Sequence, residues 1–423
     1  MAIGDSSTAD GYFKQIYGEL SDTVPEHSVL AQDIPFQKKE RLGDSYHFPV
    51  RLRRTQGVTY KSGTGSMGAF SLNAVRSGVM QDASVKGSTF VGRESFGYKA
   101  VLSATAAGPQ AFGDLFDEGV EDLHSTAAFA REMSLLYGGS NIGKANTVGA
   151  VTGAGSAGDP YRQEVTLHAD STAMGLWAQM EGALIDAYNP GMDTLRNASG
   201  GLVVIKAEDA GSNTVQLTLE PSASADDVES GDVLVPHGAK GNWMDGLDKI
   251  ITNSGSLFSI SAATYPLWKG NSYAVGGALT MQKVASAAAL IVPRAGAGNL
   301  KLYCSVPTWV KLNEELVGYR RIDTAGGVQK LGAEEIEYFG PNGLIRIKPH
   351  PMVKNGEAFL LDPSKVKRVG ASDITFNLGV EGQADKFLRE LPDAAGFEVR
   401  CLWDQGIIHP RPAATCKLTG ITN

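Results

Sequence analysis

The stretch Ser45-Tyr46-His47-Phe48-Pro49-Val50-Arg51-Leu52 places Tyr46, Phe48, Val50 and Leu52 on one face. Alternation with a period of two is the signature of a half-buried strand. Residues 90–102 repeat it through Phe96, Tyr98, Ala100 and Leu102. Between the two lies a Gly/Ser-rich tip, Ser62-Gly63-Thr64-Gly65-Ser66-Met67-Gly68. The whole is predicted to form one long two-stranded arm, with 45–52 and 90–102 as its paired sides. An isolated hairpin of this kind is at best marginal in water. The arm must therefore lie against something else, and the rest of the chain points to another copy of itself.

On the N-terminal side, residues 1–40 read as a second, docking arm. Tyr12, Phe13, Ile16, Tyr17 and Leu20 make a short amphipathic piece, followed by polar, extended sequence with Pro25 and Pro35. On the C-terminal side, Gly108-Pro109 opens a helical pattern that stops at Gly138-Gly139. Phe112, Leu115, Phe116, Val120, Leu123, Ala127, Ala130, Met133 and Tyr137 recur in steps of three and four along it. Such a helix is about 40 Å long. Acids crowd its first half, where they suit the helix dipole. Residues 139–162 read as irregular, 164–168 as a strand and 172–188 as a second helix. Short strands at 202–206, 214–219 and 232–235 suggest a small β insert. Beyond residue 246 the pattern is mixed. Helices are expected at 278–290 and 308–316, and strands at 302–306, 333–339, 344–348, 358–361 and 397–403. An extended tail follows His409.

The 423 residues allow a large core and two or three domains. Hydrophobic residues at 42% and charged residues at 20% describe a folded chain, not a disordered one. A net charge of −8 argues against gripping nucleic acid over a broad surface. Cys304, Cys401 and Cys416 are odd in number and far apart, so neither a disulfide framework nor a zinc site is indicated. They read as small buried hydrophobes in a reducing compartment. The first ten residues lack the basic and apolar regions of a signal peptide. The longest near-apolar stretch, residues 284–292, is far short of the ~20 needed to cross a bilayer. The chain is expected to stay in the cytosol, with no membrane partner.

This order of parts resembles the major capsid proteins of tailed bacteriophages, the HK97-like α+β fold. Five stretches also resemble that family: Leu135-Leu136-Tyr137-Gly138, the run from Met244 through Gly246 to Ile251, Glu337-Tyr338-Phe339-Gly340, Phe359-Leu360-Leu361-Asp362-Pro363, and the run from Phe397 to Gly406. The resemblance covers nearly the whole chain, and its weight rests on the order of elements. It implies an N-terminal arm at 1–42 and a β-hairpin E-loop at 43–103 lying over a neighbour. It implies an elongated P-domain at 104–270, with a spine helix at 109–138 and a β insert at about 201–236. An A-domain at 271–375 then points to the capsomer centre, and residues 376–423 return to the P-domain and form the tail. Hexamers and pentamers of one chain would close into an icosahedral shell around double-stranded DNA that is not read by sequence. Scaffolding, portal and decoration proteins are the further partners the resemblance implies. The chain would be made in the host bacterial cytoplasm and end in the virion capsid. The short segment before Asp44 leaves little room for a large cleaved scaffolding part. A bacterial nanocompartment shell of the same fold is the nearest alternative, and its particle would hold an enzyme instead of DNA.

No enzymatic role and no cofactor are expected. Gly63-Thr64-Gly65-Ser66-Met67-Gly68 fits G-x-G-x-x-G, which makes a nucleotide-dependent enzyme the alternative from a different class. The preceding residues 58–61 are too short and polar for a buried parallel strand, so a flexible arm tip is the plainer reading. Glu121 and His124 have the i, i+3 spacing of a di-metal helix, but the second such pair is missing. No G-x-S-x-G elbow occurs. Some relatives cross-link an E-loop Lys to a neighbour's Asn, and Lys61, Lys86 and Lys99 are candidates for the first partner; non-covalent packing is the plainer expectation. Arg51, Arg53 and Arg54, extended by Arg93, form a basic cluster along the arm. No aromatic platforms interleave with it, so single-stranded nucleic acid is a poor match. Arginine forks pair with carboxylates, and the acidic helix of a neighbour offers Asp114, Asp117, Glu118 and Glu121. These eight residues are the expected subunit-interface set.

Overall fold

The computed structural model describes residues 28–39, 45–63, 68–99, 101–102, 109–211, 214–224, 226, 228–295, 298–319, 336–341, 343–376, 389–391 and 394–423. The amphipathic piece expected at 12–20 lies outside them, as do tip residues 64–67.

The spine helix runs Pro109–Tyr137. Its C-terminal turns enter the core, where every residue from 132 to 137 is buried. A helix that is buried all round needs close neighbours. Gly138 and Gly246 supply that closeness. A Cβ on Gly138 would lie 2.2 Å from the Met244 carbonyl oxygen, and one on Gly246 would lie 2.5 Å from the Gly138 nitrogen. Gly246 N–H donates to the Gly138 carbonyl at 2.7 Å. Gly139 then turns the chain at φ 71°, a conformation that suits glycine.

Two sheets flank this helix. The first has five strands: Phe36–Lys38, Lys367–Thr375, Gly396–Ile408, Arg389–Glu390 and Ser88–Gly97. Its long central strand, Gly396–Ile408, pairs over ten positions with Ser88–Gly97. This overturns the expected arm pairing. Tyr46–Arg53 pairs instead with Val79–Val85, where Ala83 and Val85 supply the buried face. The strand 88–97 is held by its own aromatics. Phe90 stacks on Trp403 with centroids 5.4 Å apart, and Phe96 lies against the helix at Gly119.

The second sheet has six strands in the order Asn271–Gly277, Cys416–Ile421, Glu357–Leu361, Leu300–Cys304, Gly343–Pro349 and Ile336–Gly340. Helix Met281–Ala295 buries Val284, Ala287, Ala288 and Ile291 in the same core as Leu302, Leu360 and Leu418 of this sheet. The tail strand Cys416–Ile421 therefore belongs to this sheet and not to that of Gly396–Ile408. Lys417 anchors it from below. Its Nζ lies 2.5 Å from Asp248 and 2.7 Å from Glu357. Burial opposes the charge on Asp248, but Lys417 and Lys354 hold its pKa below the usual carboxylate range.

A closed barrel lies between the spine helix and the second sheet in chain order. Its strands are Gly143–Val148, Gln163–Leu167, Leu184–Tyr188, Leu202–Gly211, Thr214–Glu220 and Val233–Pro236. The β insert is thus larger than the expected 201–236, and residues 139–162 contain one of its strands. The helix expected at 172–188 is only Met174–Trp177, followed by a 3-10 turn, Ala178–Met180. Gly182 reverses the chain at φ 81°, and Leu184–Tyr188 continues as a strand. Leu184 and Tyr188 fit both periods, and Gly182 decides between them.

Residues 28–38 run as a strap across the spine helix and both sheets. Glu132 is fully buried and accepts from the N–H groups of Leu30 and Ala31. His350 Nδ1 accepts from Met352 N–H, so its Nε2 carries the proton and donates to Glu132 at 2.9 Å. Asp33 accepts from Lys301 at 2.7 Å and Tyr303 at 2.6 Å. Arg368 binds the strap carbonyls of Ala31 and Ile34. Replacing Glu132→Ala strands three buried donors at once. A loss of roughly 3–5 kcal/mol is expected in urea unfolding. Amide exchange should rise first in residues 29–38, and a change under 1 kcal/mol would contradict this account.

Candidate assembly surface

The arm is well rooted and then unsupported. At its root Tyr46, Val50, Ala83 and Val85 are buried. Ser84 N–H donates to the Phe258 carbonyl at 3.0 Å, and Phe48 meets the Phe258 ring edge-on at 6.4 Å. Past Arg53 the two sides touch through one bridge, Gln56 with Arg76, and a few side-chain bonds such as Asn73 N–H to Thr59 at 2.9 Å. Here Tyr60 is 92%, Leu72 76% and Val75 70% exposed. Val58, Phe70 and Met80 are exposed as well. Large apolar side chains left exposed along one arm make it a candidate contact surface.

Arg51 and Arg53 alternate with Val50 and Leu52, so they leave the strand on its open side. Arg54 follows, and all three are exposed. Arg93 is also exposed, but it sits in the five-stranded sheet opposite Arg400. The structure therefore brings three of the four arginines together and separates the fourth. Glu121 is exposed on the spine helix. Asp114, Asp117 and Glu118 lie on the same helix, with side chains outside the described set. Nearby, burial and the charge of Asp122 push the Glu94 pKa up. None of Arg51, Arg53, Arg54 and Arg93 makes an ion pair among the described residues.

The sequence reading missed the body side of this surface. A cavity of about 1070 Å³ opens where the arm leaves the body. Arg51, Arg53, Arg54 and Met80 line its arm side. Leu267, Trp268, Arg294 and Arg411 line the body side. No periodic signal connects these residues, because they come from the turn at Pro266–Trp268, the segment before Pro412 and a helix end. Arg411 is held by its neighbour His409, a fully buried ring whose Nδ1 accepts the Arg411 N–H at 3.1 Å.

The Gly63–Gly68 segment does not have the setting of a dinucleotide loop. Residues 57–61 before it and 69–75 after it form neither the preceding strand nor the following helix that the motif needs. Lys61 instead donates to the Gly68 carbonyl at 3.1 Å and lies over the Phe70 ring.

A chain from the capsid asymmetric unit of cyanophage A-1(L) superposes with a TM-score of 0.55 at 10% identity, covering 97% of each chain. The chain has the fold of a phage capsid protein. A capsid chain of cyanophage P-SCSP1u aligns with a TM-score of 0.45 at 10% identity, covering 98% of this chain and 94% of that one. A capsid chain of the native GTA particle aligns at 0.46 and 9% identity, covering 99% and 100%. No protein-family model and no curated protein sequence matches the chain.

Burial pushes the His409 pKa down to about 4, from an ordinary value of 6.5. The folded state therefore binds fewer protons than the unfolded state between these values. The stabilisation is complete above pH 6.5 and is lost as pH falls toward 4. Thermal melts across pH 4–7 should show a steeper acid loss for the native chain than for His409→Gln. Parallel curves would contradict the assignment.

Proposed function

We propose that this chain is the major capsid protein of a tailed phage, a structural subunit that self-assembles into a closed icosahedral shell. One observation carries the reading beyond the fold. Val58, Tyr60, Leu72 and Val75 project from the arm and are more than half exposed among the described residues. A hairpin of this kind is not stable alone, and a repeated neighbour is the cover that a closed symmetric assembly supplies. In this reading hexamers and pentamers form the shell, and each arm lies over an adjacent copy. Arg51, Arg53 and Arg54 contact a neighbour's Asp114, Asp117, Glu118 and Glu121, with Arg93 serving a separate contact. The subunit performs no catalysis. Its acidic balance suits a wall that encloses double-stranded DNA without gripping it, and the finished shell resides in the virion after synthesis in the host cytoplasm. Portal, scaffolding and decoration proteins are the partners this role calls for.

The test is electron microscopy of the purified chain after sizing by light scattering. Closed shells, or hexamers and pentamers, are expected. A monodisperse monomer or dimer overturns the proposal. Particles from the native source that hold an enzyme instead of DNA would move it to a nanocompartment shell. Charge reversal by Arg53→Glu should abolish assembly and leave the melting temperature of the free chain unchanged. Normal shells from that variant would remove the arginines from the interface.

A further inference from the structure

The cavity at the root of the arm has an unusual lining. Five arginines face it: Arg51, Arg53 and Arg54 from the arm, Arg294 and Arg411 from the body. Among the described residues no Asp or Glu lines it. Arg294 donates to the neutral side chain of Asn271 at 2.9 Å, and the other four have no ion-pair partner among the described residues. Like charges converging without counter-charge repel one another. The chain has carboxylates to spare, with 46 Asp and Glu against 38 Lys and Arg, yet it places none here.

The rest of the described lining is mostly apolar, with Gln56, Thr264 and Tyr265 as its uncharged polar members. Met80 is 61% and Leu267 55% exposed, and the Trp268 ring closes the floor. Pro266 and Pro410 stiffen the body wall. Charged forks beside exposed aliphatic groups match a peptide with acids on one edge and apolar residues on the other. A nucleic-acid strand would be met by open, stacked aromatic platforms; of the two large rings here, Trp268 is buried and Tyr265 is half-buried against the core.

We infer that this crook is a socket for an acidic, apolar-edged segment of a second copy of the chain. Its occupant touches both walls and so fixes the angle between arm and body. The inference rests on the shell reading and adds to it the body-side residues Leu267, Arg294 and Arg411. Charge complementarity argues for the second copy. The chain has an acid surplus, and Glu121 and Asp122 stand exposed on its helix. Met80 belongs both to the socket and to the exposed apolar arm, so one neighbour can cover the two together.

The decisive experiment is photo-crosslinking in assembled particles. The variant Leu267→p-benzoylphenylalanine is assembled from equal parts of ¹⁴N- and ¹⁵N-labelled chains, and crosslinked peptides are read by mass spectrometry. The expected product joins position 267 to an Asp/Glu-rich peptide, with mixed isotope pairs that prove two chains. Products confined to one chain, or formed with nucleic acid, a separate protein or a peptide lacking acids, overturn the socket and leave the shell reading standing. If no particles form from the unmodified chain, the shell reading fails and the socket fails with it. In parallel, Arg411→Glu should lower shell yield by at least about ten-fold, whereas Arg411→Lys keeps the charge and most of the yield. Equal yields from the two overturn the inference, and matched melting curves separate assembly from folding.

Discussion

The body of this molecule depends on one buried carboxylate. Glu132 lies on the spine helix with no access to water, and its three donors come from two other segments: the strap and the loop after Gly343–Pro349. A buried acceptor is tolerated only when it is fully bonded, so the three segments hold each other in place. The consequence extends outward. The strap pairs with Lys367–Thr375, whose partner Gly396–Ile408 carries the strand leading out of the arm. Asp33 ties the same strap to Lys301, Tyr303 and Lys348 of the second sheet. The two sheets are thus related through a short segment that buries few large side chains of its own.

The arm obeys the opposite rule. In the body, charged groups find opposite charges: Asp248 with Lys417, Asp373 with Arg131 and Arg368. Among the described residues the arginines at the arm root have no such partners, and beyond it Tyr60, Leu72 and Val75 are largely exposed. The contrast cannot come from poor composition, since the same sequence packs Trp177, Trp268 and Trp403 completely. It is local, and it is what a surface looks like when its complement lies on another molecule. In the proposed shell the apolar groups would supply the driving force for association, and the cations its direction.

Much of this was legible in the order of residues. The spine helix is bounded by Pro109 and Gly138-Gly139, and the strong 3.6 period between them is a local signal. Three of the five resemblance motifs turn out to be structural neighbours. Gly138 and Gly246 touch, and Tyr137 meets the Phe359 ring edge-on at 6.2 Å. The turn at Gly340–Gly343 joins the pair of strands expected around it. Partners distant in sequence were not legible. Nothing local distinguishes Val79–Val85 from residues 90–102 as the mate of Tyr46–Arg53, because both alternate. Four of the six barrel strands were legible, but their closure was not. Gly143–Val148 reads GKANTV, in which Ala145 and Val148 are the only apolar side chains beyond glycine, and Leu184–Tyr188 also fits a helical period. The basic socket was invisible because its members, from Arg51 to Arg411, meet only in three dimensions.

Net charge and local charge then act at different ranges. Copies with eight surplus negative charges repel at a distance beyond the Debye length only weakly, because salt screens them. At contact, a desolvated arginine facing a carboxylate is screened much less. A chain with this distribution resists indiscriminate clumping and still binds strongly where arginine-lined and acidic surfaces meet in register. Specificity of that kind needs the arginines to be gathered and left unpaired within their own chain. An intramolecular carboxylate at the arm root would stabilise the free subunit, but it would compete with the neighbour for the same cations. In the proposed assembly, the lack of counter-charges among the described residues at the arm root would be a condition for selective self-association, not a defect of the isolated fold.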